Sequence, residues 1–258
     1  MAYDYENFKK DVYALTNINL SLYKERQMKR RIESLMVRKG YNNFEDYFHA
    51  MKRDEELLQG FVGYLTINVS EFYRNPTQWE VFENTMIPLL KKQYGSRLNI
   101  WSAACSTGDE PYTITMLLAK YFPLDHIKVI ATDIDDVVLG IAKEGFYSKR
   151  SLDRLPKELL DKHFDKKGNG YQIKDDIKAC VDFRKHNLLE DTYPTGIHMI
   201  ICRNVVIYFT DEAKDEVYKK FNRSLEKNGI LFIGSTEQII HAKELGFEAT
   251  DSFFYQKV

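Results

Sequence analysis

Between Leu98 and Phe122 the chain reads LNIWSAACSTGDEPYTITMLLAKYF, and this run constrains the fold more than any other. A β-prone start (Ile100, Trp101) breaks into the small residues Ala103, Ala104, Ser106, Thr107 and Gly108. Two acids and a proline follow, and an apolar helix-like pattern resumes at Ile114, Leu117, Leu118 and Tyr121. Strand, small-residue turn and helix is how an open α/β sheet forms a pocket at the carboxyl ends of its strands. Small side chains let the backbone approach a ligand, and the helix N-terminus that follows favours negative charge. Here Asp109 and Glu110 already stand where a phosphate would sit. That argues against a pyrophosphate ligand and for a hydroxylated or cationic one.

Ile127 to Ile134 reads IKVIATDI, a buried strand closing on Asp133, 25 positions after Gly108. An acid at the end of the second strand is the usual acceptor for ribose hydroxyls in nucleotide-binding α/β sheets. Acids at these positions without a G-x-G-x-x-G fingerprint suit S-adenosylmethionine, which has a ribose, an amino-acid tail and a sulfonium but no phosphate. Taken one at a time, Asp109, Glu110 and Asp133 are equally compatible with solvated loop acids.

Residues 1 to about 75 are charged and helix-patterned, with candidate helices at Tyr5–Leu15, Tyr23–Arg38, Phe44–Met51 and Asp54–Leu65. Gly40, Asn42 and Asn43 punctuate the middle. From Ile100 onward β-prone runs (Ile100–Ala103, Val129–Thr132, Ala179–Arg184, His198–Cys202, Ile230–Ser235, Phe253–Lys257) alternate with helical ones. The helical runs are Tyr112–Tyr121, Val137–Lys143, Glu212–Leu225 and Gln238–Lys243. This alternation predicts a mostly parallel sheet flanked by helices. The last two β-runs lie too close together for a long crossover, which predicts a final antiparallel strand. Residues 146 to about 178 interrupt the pattern and read as a small inserted subdomain with a Gly168-Asn169-Gly170 turn. The division expected is a helical domain over 1–75 and an α/β domain over 76–258.

Composition serves to exclude. With 44% hydrophobic residues, 29% charged residues and a net charge of −1, nothing global points to nucleic acid. Cys105, Cys180 and Cys202 are odd in number and lack CxxC spacing, which speaks for a reducing compartment and against disulfides or a metal site. The start, MAYDYENFKKDVY, is not an apolar leader, and no run reaches the roughly 20 apolar residues of a membrane span. A cytoplasmic protein without membrane insertion is expected, and with no heptad pattern a monomer.

The segment LTINVSEFYRNPTQW, Leu65 to Trp79, threads Thr66, Asn68, Ser70 and Arg74 through Leu65, Ile67, Val69 and Phe72. This alternation predicts an extended strip with one polar face, on which Arg74 offers a planar fork to a carboxylate. The alternative is a capping linker in which Arg74 pairs with Glu71 or Glu80. Further on, KHNLLED (Lys185 to Asp191) follows one strand, and IICRNVVIYF (Ile200 to Phe209) breaks another at Arg203-Asn204. Polar residues at those strand ends mark the crevice of an open sheet. Asn187 is placed to meet an adenine edge there, and Asn204 and Tyr208 to border the reaction centre, although core packing explains Tyr208 equally well.

Together TINVSEFYR, WSAACSTGDEPYT, ATDID, NLL, CRNVVIYF and GSTEQ resemble the chemotaxis receptor glutamate O-methyltransferases, the CheR family, in its Gram-positive form. The motifs run in the family's order from about residue 20 to the C-terminus. The resemblance implies a Rossmann-like class I S-adenosylmethionine-dependent methyltransferase domain with an all-helical N-terminal domain and a small inserted subdomain. It implies that Asn68, Ser70, Arg74, Glu110 and Asp133 bind S-adenosylmethionine, with Asn187, Leu188, Arg203 and Asn204 closing the pocket. Asp109 replaces a glutamate common in the family, while Glu110 keeps the functional position. The implied product pair is a glutamyl methyl ester and S-adenosylhomocysteine.

A receptor glutamate, with a pKa of about 4.3, is already an anion at neutral pH and needs no general base to attack a methyl sulfonium. No Ser-His-Asp or Cys-His arrangement is evident, so no catalytic residue is assigned. Arg74 and Tyr208 are candidates, and Arg74 or Arg203 is available to steer the carboxylate. In LYKERQMKRRIESLMVRKG, Leu22 to Gly40, Met28, Ile32, Leu35 and Met36 form one apolar helix face. Seven basic side chains stand there against Glu25 and Glu33. From charge alone a solvated face is the simpler reading. The resemblance instead assigns Arg26, Lys29, Arg30 and Arg31 to docking on the helical bundle of a chemoreceptor. The insert around Lys166 to Gln172 is short, which predicts recognition that does not depend on a receptor C-terminal peptide. The competing functions are a methyltransferase acting on a small molecule or RNA, and a non-catalytic adaptor that senses the cofactor.

Overall fold

The computed structural model describes residues 3–258. Contacts divide it into two units: one runs through Asn68 and takes in Tyr208–Glu216, the other comprises Val69–Ile207 and Val217–Val258.

The first unit is built from α1 (Tyr5–Thr16), α2 (Glu25–Arg38), α3 (Phe44–Met51) and α4 (Glu55–Leu65). Short polar side chains start three of them: Asp4 accepts from Asn7 N, Asn43 from Asp46 N and Asp54 from Leu57 N. Each such cap contributes about 1 kcal/mol relative to alanine. The apolar stripe of α2 is buried as its spacing predicts, with Met28, Ile32, Leu35 and Met36 all inside. Phe8, Tyr47 and Phe61 meet in the centre, and Phe61 stands edge-on to the other two rings. Helix α2 begins two residues later than the sequence suggests because Tyr23 is taken up otherwise. It forms an antiparallel bridge to Phe209, with Lys24 N donating to Tyr208 O and Thr210 N to Leu22 O.

The second unit opens with α5 (Pro76–Val81), a π-helical turn (Phe82–Met86) and α6 (Ile87–Tyr94). Then come β1 (Leu98–Ala103), α7 (Asp109–Leu118), β2 (Ile127–Asp133) and α8 (Asp136–Glu144). An antiparallel sheet of β3 (Phe146–Ser148), β4 (Phe164–Lys167) and β5 (Gly170–Ile173), in the order β3-β5-β4, carries α9 (Lys157–His163). The chain returns through α10 (Asp175–Lys178), β6 (Val181–Lys185), β7 (Ile197–Cys202) and α11 (Asp211–Ser224). It ends on β8 (Leu225–Ile233), β9 (Phe247–Asp251) and β10 (Phe254–Lys257).

The main sheet has the order β6-β2-β1-β7-β8-β10-β9. Strands β6, β2, β1, β7 and β8 are mutually parallel, and β10 is antiparallel to β8, as the crowded last runs predict. The sheet is Rossmann-like: strand order reverses between β1 and β7, and ligands bind at such a switch point. Core side chains are apolar on both faces, with Phe232 of β8 stacked on Phe254 of β10 at 4.1 Å. Trp101 is fully buried among Tyr193, Phe221 and His186, and its indole donates to Thr132 Oγ1.

Three expectations need correction. Leu65 to Trp79 is not an extended strip: Ile67, Tyr73 and Asn75 take left-handed backbone conformations, so the alternation does not sort its side chains onto two faces. Gln238–Lys243 forms irregular backbone and turns rather than a helix, with Ile240 left 81% exposed. Strand β9 went unread because it buries only Phe247 and is otherwise polar, as an edge strand tolerates.

Candidate active site at the carboxyl ends of the strands

The turn after β1 holds three residues in left-handed backbone, which of these only glycine adopts without steric cost. Ala104 (φ 62°), Ser106 (φ 48°) and Gly108 (φ 89°) lie in that region, and Gly108 caps α7. A side chain at Gly108 would meet Ala142 Cβ at 2.9 Å, so α8 approaches the turn closely for want of one. Tyr147 OH donates to Thr107 O and Thr107 Oγ1 to Asp109 Oδ2, which pins the turn. Helix α7 begins at Asp109 rather than Tyr112. Its two acids are therefore first-turn residues facing the helix's positive end.

Asp133, at the end of β2 and 5% exposed, accepts from Ser106 N at 2.8 Å and from Asp135 N at 3.1 Å. Burial raises its pKa to about 6 despite these backbone bonds. Burial also raises Asp109, which accepts from Thr107 and Ser70, and Glu110. Glu110 accepts from Ser102 Oγ at 2.8 Å and faces Arg203 Nη1 at 3.5 Å. A cation or a set of hydrogen-bond donors arriving beside a buried acid favours its charged form.

Arg203, directly after β7, is buried, with its Nη2 committed to protein acceptors and its Nε without a partner. Its Nη2 donates to Arg74 O, Asn75 Oδ1 and Gln78 Oε1 at 2.9, 3.1 and 2.7 Å. Its guanidinium also lies over Trp79 and Phe232. Arg203 therefore ties the segment after Arg74 to the end of β7. Arg74 differs: its Nη1 donates to Val69 O on the exposed side, and Glu71, its suggested partner, pairs with Arg154.

These side chains enclose a cleft of about 400 Å³, measured with its mouth open to solvent. Ser70, Arg74, Glu110, Arg203 and Asn204 line it, all within the second unit, together with Trp79 and Ser106 from beyond the sequence-derived set. Asp133 reaches the cleft through its bond to Ser106. The remaining candidates lie elsewhere. Asn187 and Leu188 follow β6, whose end meets that of β2 where His186 N donates to Asp133 O. Asn187 Oδ1 caps Leu189 N, and Leu188 O accepts from Tyr193 OH. Asn68 falls in the first unit, where its amide donates to Thr66 Oγ1. Tyr208 falls there too. In α2, Arg26 and Arg30 are exposed and Lys29 lies over the Tyr5 ring. Arg31 is bound inward, donating to Tyr64 O and stacking on the Tyr64 ring, so it is not an open docking residue.

The model of the CheR methyltransferase SAM binding domain matches residues 68–253, and that of the CheR methyltransferase all-alpha domain matches residues 3–66. The chain belongs to the CheR methyltransferase family. A chemotaxis protein methyltransferase of Listeria innocua is 41% identical over 254 residues, covering 98% of this chain and 97% of the relative. Similarly named proteins of Borreliella burgdorferi and Vibrio cholerae are 34% and 32% identical; each alignment covers 92% of this chain, and 89% and 85% of the respective relative. CheR membership makes the α/β unit a class I methyltransferase domain with S-adenosylmethionine as its cofactor. The donor set fits that molecule. Ser106 Oγ and Asn204 Oδ1 are buried acceptors without a protein partner. Asp133, Asp109 and Glu110 supply acidic acceptors.

Several members of this CheR site escaped the sequence reading. Asn75 and Gln78 anchor Arg203, and Ser102 holds Glu110. Glu237, 6% exposed, accepts from the backbone of the β7 loop. Backbone acceptors and donors leave no pattern in sequence, and Glu237 was visible only as part of GSTEQ.

Proposed function

We propose that this chain methylates glutamate side-chain carboxylates on chemoreceptors, using S-adenosylmethionine and releasing S-adenosylhomocysteine. The observation that carries the reading is the pairing of buried Arg203 with half-buried Glu110 beside unpartnered acceptors, in a cleft with no nucleophile–base pair among its lining residues. Bound S-adenosylmethionine would supply an electrophilic methyl group on a sulfonium. Asp133 is assigned to the ribose hydroxyls, Asn187 and Leu188 to the adenine, and Glu110, Ser70 and Asn204 to the amino-acid end. The acceptor glutamate attacks as the anion it already is, so the protein's work is positioning and exclusion of water. Arg74 is assigned to orient that carboxylate, because it lines the cleft and is partly exposed, whereas Arg203 is buried with its Nη2 committed to three protein acceptors. A cation held at the cleft mouth orients the nucleophile without neutralising it by direct pairing in the ground state.

The partner is read as the cytoplasmic helical bundle of the receptor, met by the exposed Arg26 and Arg30 of α2, with the enzyme acting as a monomer. Among the described residues no helix is long and apolar enough to cross a membrane, which suits an enzyme that visits membrane receptors from solution. The test is transfer of label from methyl-labelled S-adenosylmethionine to chemoreceptor membranes, followed by mild alkali. Label released as volatile methanol supports the carboxyl ester; label that survives alkali refutes it. Binding of S-adenosylhomocysteine without transfer to receptors of the native host would favour a cofactor-sensing adaptor. Arg74→Ala should lower kcat at least tenfold, and Tyr208→Phe, assayed beside it, reports whether the phenol contributes.

A further inference from the structure

We propose that Glu237 is a positioning residue of the methyl-transfer cleft, its carboxylate fixing the backbone of Asn204 and Val205 and thereby the Asn204 side chain. Its Oε2 accepts from Asn204 N at 2.9 Å and from Gly234 N at 2.6 Å, and its Oε1 accepts from Val205 N at 3.1 Å. One carboxylate thus joins the loop after β7 to the turn after β8. Charge-assisted bonds of this kind are roughly twice as strong as neutral ones, and successive N–H groups around an anion form a rigid nest. Gly234 shows how tight the junction is: a side chain there would lie 2.7 Å from both Asn204 N and Glu237 Oε2.

The loop needs such a hold. Asn204 is in the left-handed region at φ 62°, directly after Arg203, whose side chain is immobilised by its own acceptors. Asn204 Nδ2 donates to Thr236 Oγ1, next to Glu237, while Oδ1 is buried without a partner and the residue lines the cleft. An unpaired acceptor is useful to a ligand only if its direction is set in advance. Glu237 itself is absent from the cleft lining, so it acts through Asn204 rather than on a ligand. Burial pushes its carboxyl upward, and the backbone donors of Asn204, Val205, Val206 and Gly234 pull it back. The charged groups around it are Arg203, attractive, and Glu110, repulsive.

The inference rests on the methyl-transfer reading, and its test separates the two. S-adenosylhomocysteine affinity by calorimetry and receptor methylation are measured for wild type, Glu237→Gln, Asn204→Ala and the double variant. Glu237→Gln keeps the shape but replaces an accepting oxygen with an amide that opposes a backbone N–H. It should weaken affinity about tenfold while the fold, by circular dichroism, is retained. The double variant should be no worse than Asn204→Ala by more than about twofold, because the two substitutions remove one interaction. A double variant that falls to the product of the single effects, or a Glu237→Gln protein with wild-type affinity, overturns the proposal. Hydrogen exchange on the wild type decides the clamp independently of any variant's folding. Amides of Asn204, Val205 and Gly234 should exchange far more slowly than those of the exposed Ser235 and Thr236, and equal rates overturn it. A wild-type protein that neither binds S-adenosylhomocysteine nor transfers methyl defeats the functional reading, and the exchange result still decides the clamp.

Discussion

Arg74 and Arg203 carry the same charge, yet their surroundings give them opposite tasks. Arg203 is 8% exposed and one of its nitrogens serves three acceptors, so a lysine there cannot reproduce the planar fork. Arg203→Lys should cost about 2–4 kcal/mol in urea unfolding, because Glu110 and Gln78 are left incompletely paired. A loss under about 1 kcal/mol would contradict that account. Asp133 yields a pH prediction. Its folded pKa, about 6, lies above the unfolded value, so the folded state keeps a proton that the unfolded chain has released. Taken alone, Asp133 therefore lowers stability as pH rises from about 4 towards 6. Cofactor binding runs the other way, since ionised Asp133 is the better acceptor for hydroxyls. Binding of S-adenosylhomocysteine at pH 6 should release protons, seen as a buffer-dependent enthalpy in calorimetry, and release should vanish by pH 8. Asp133→Asn should reduce the buffer dependence, leaving what Asp109 and Glu110 contribute.

At the scale of elements, two glycines separate constraint from slack. Gly108 caps α7 in the left-handed region against Ala142, and Gly108→Ala should destabilise by at least about 2 kcal/mol through backbone strain and overpacking. Gly140 lies within α8 with nothing near the site of a Cβ, so Gly140→Ala should stabilise by roughly 0.5–1 kcal/mol. Chemical denaturation of both variants measures the contrast. The turn after β1 was legible because small residues and paired acids announce a close approach and a helix start. The parallel sheet was legible from its alternating runs, and the buried stripe of α2 from its spacing. The segment from Leu65 to Trp79 was not, because alternation presumes an extended backbone and says nothing of left-handed Tyr73 and Asn75. The clamp at Glu237 left no trace either, since its partners are backbone N–H groups that every sequence possesses.

At the scale of the molecule, the two units bring different surfaces to the proposed reaction. Arg30 of α2 is exposed, and we propose that it meets the acidic helical bundle. Arg30→Glu should cut receptor methylation about tenfold, mainly through slower association, and leave S-adenosylhomocysteine affinity within twofold. The wild type should lose more activity than the variant when salt is raised, as expected for exposed charges. Arg31→Glu is the control: with its Tyr64 contacts gone it should lower thermal stability, which Arg30→Glu should leave nearly unchanged. All residues lining the cleft belong to one unit, so substitutions confined to the other replace none of them. For lineages that duplicate such genes, this is a division of inheritance. A copy can drift towards new receptors through its helical surface while its cofactor chemistry descends unaltered. Paralogues should therefore diverge first in their N-terminal helices and last around Arg203 and Glu110.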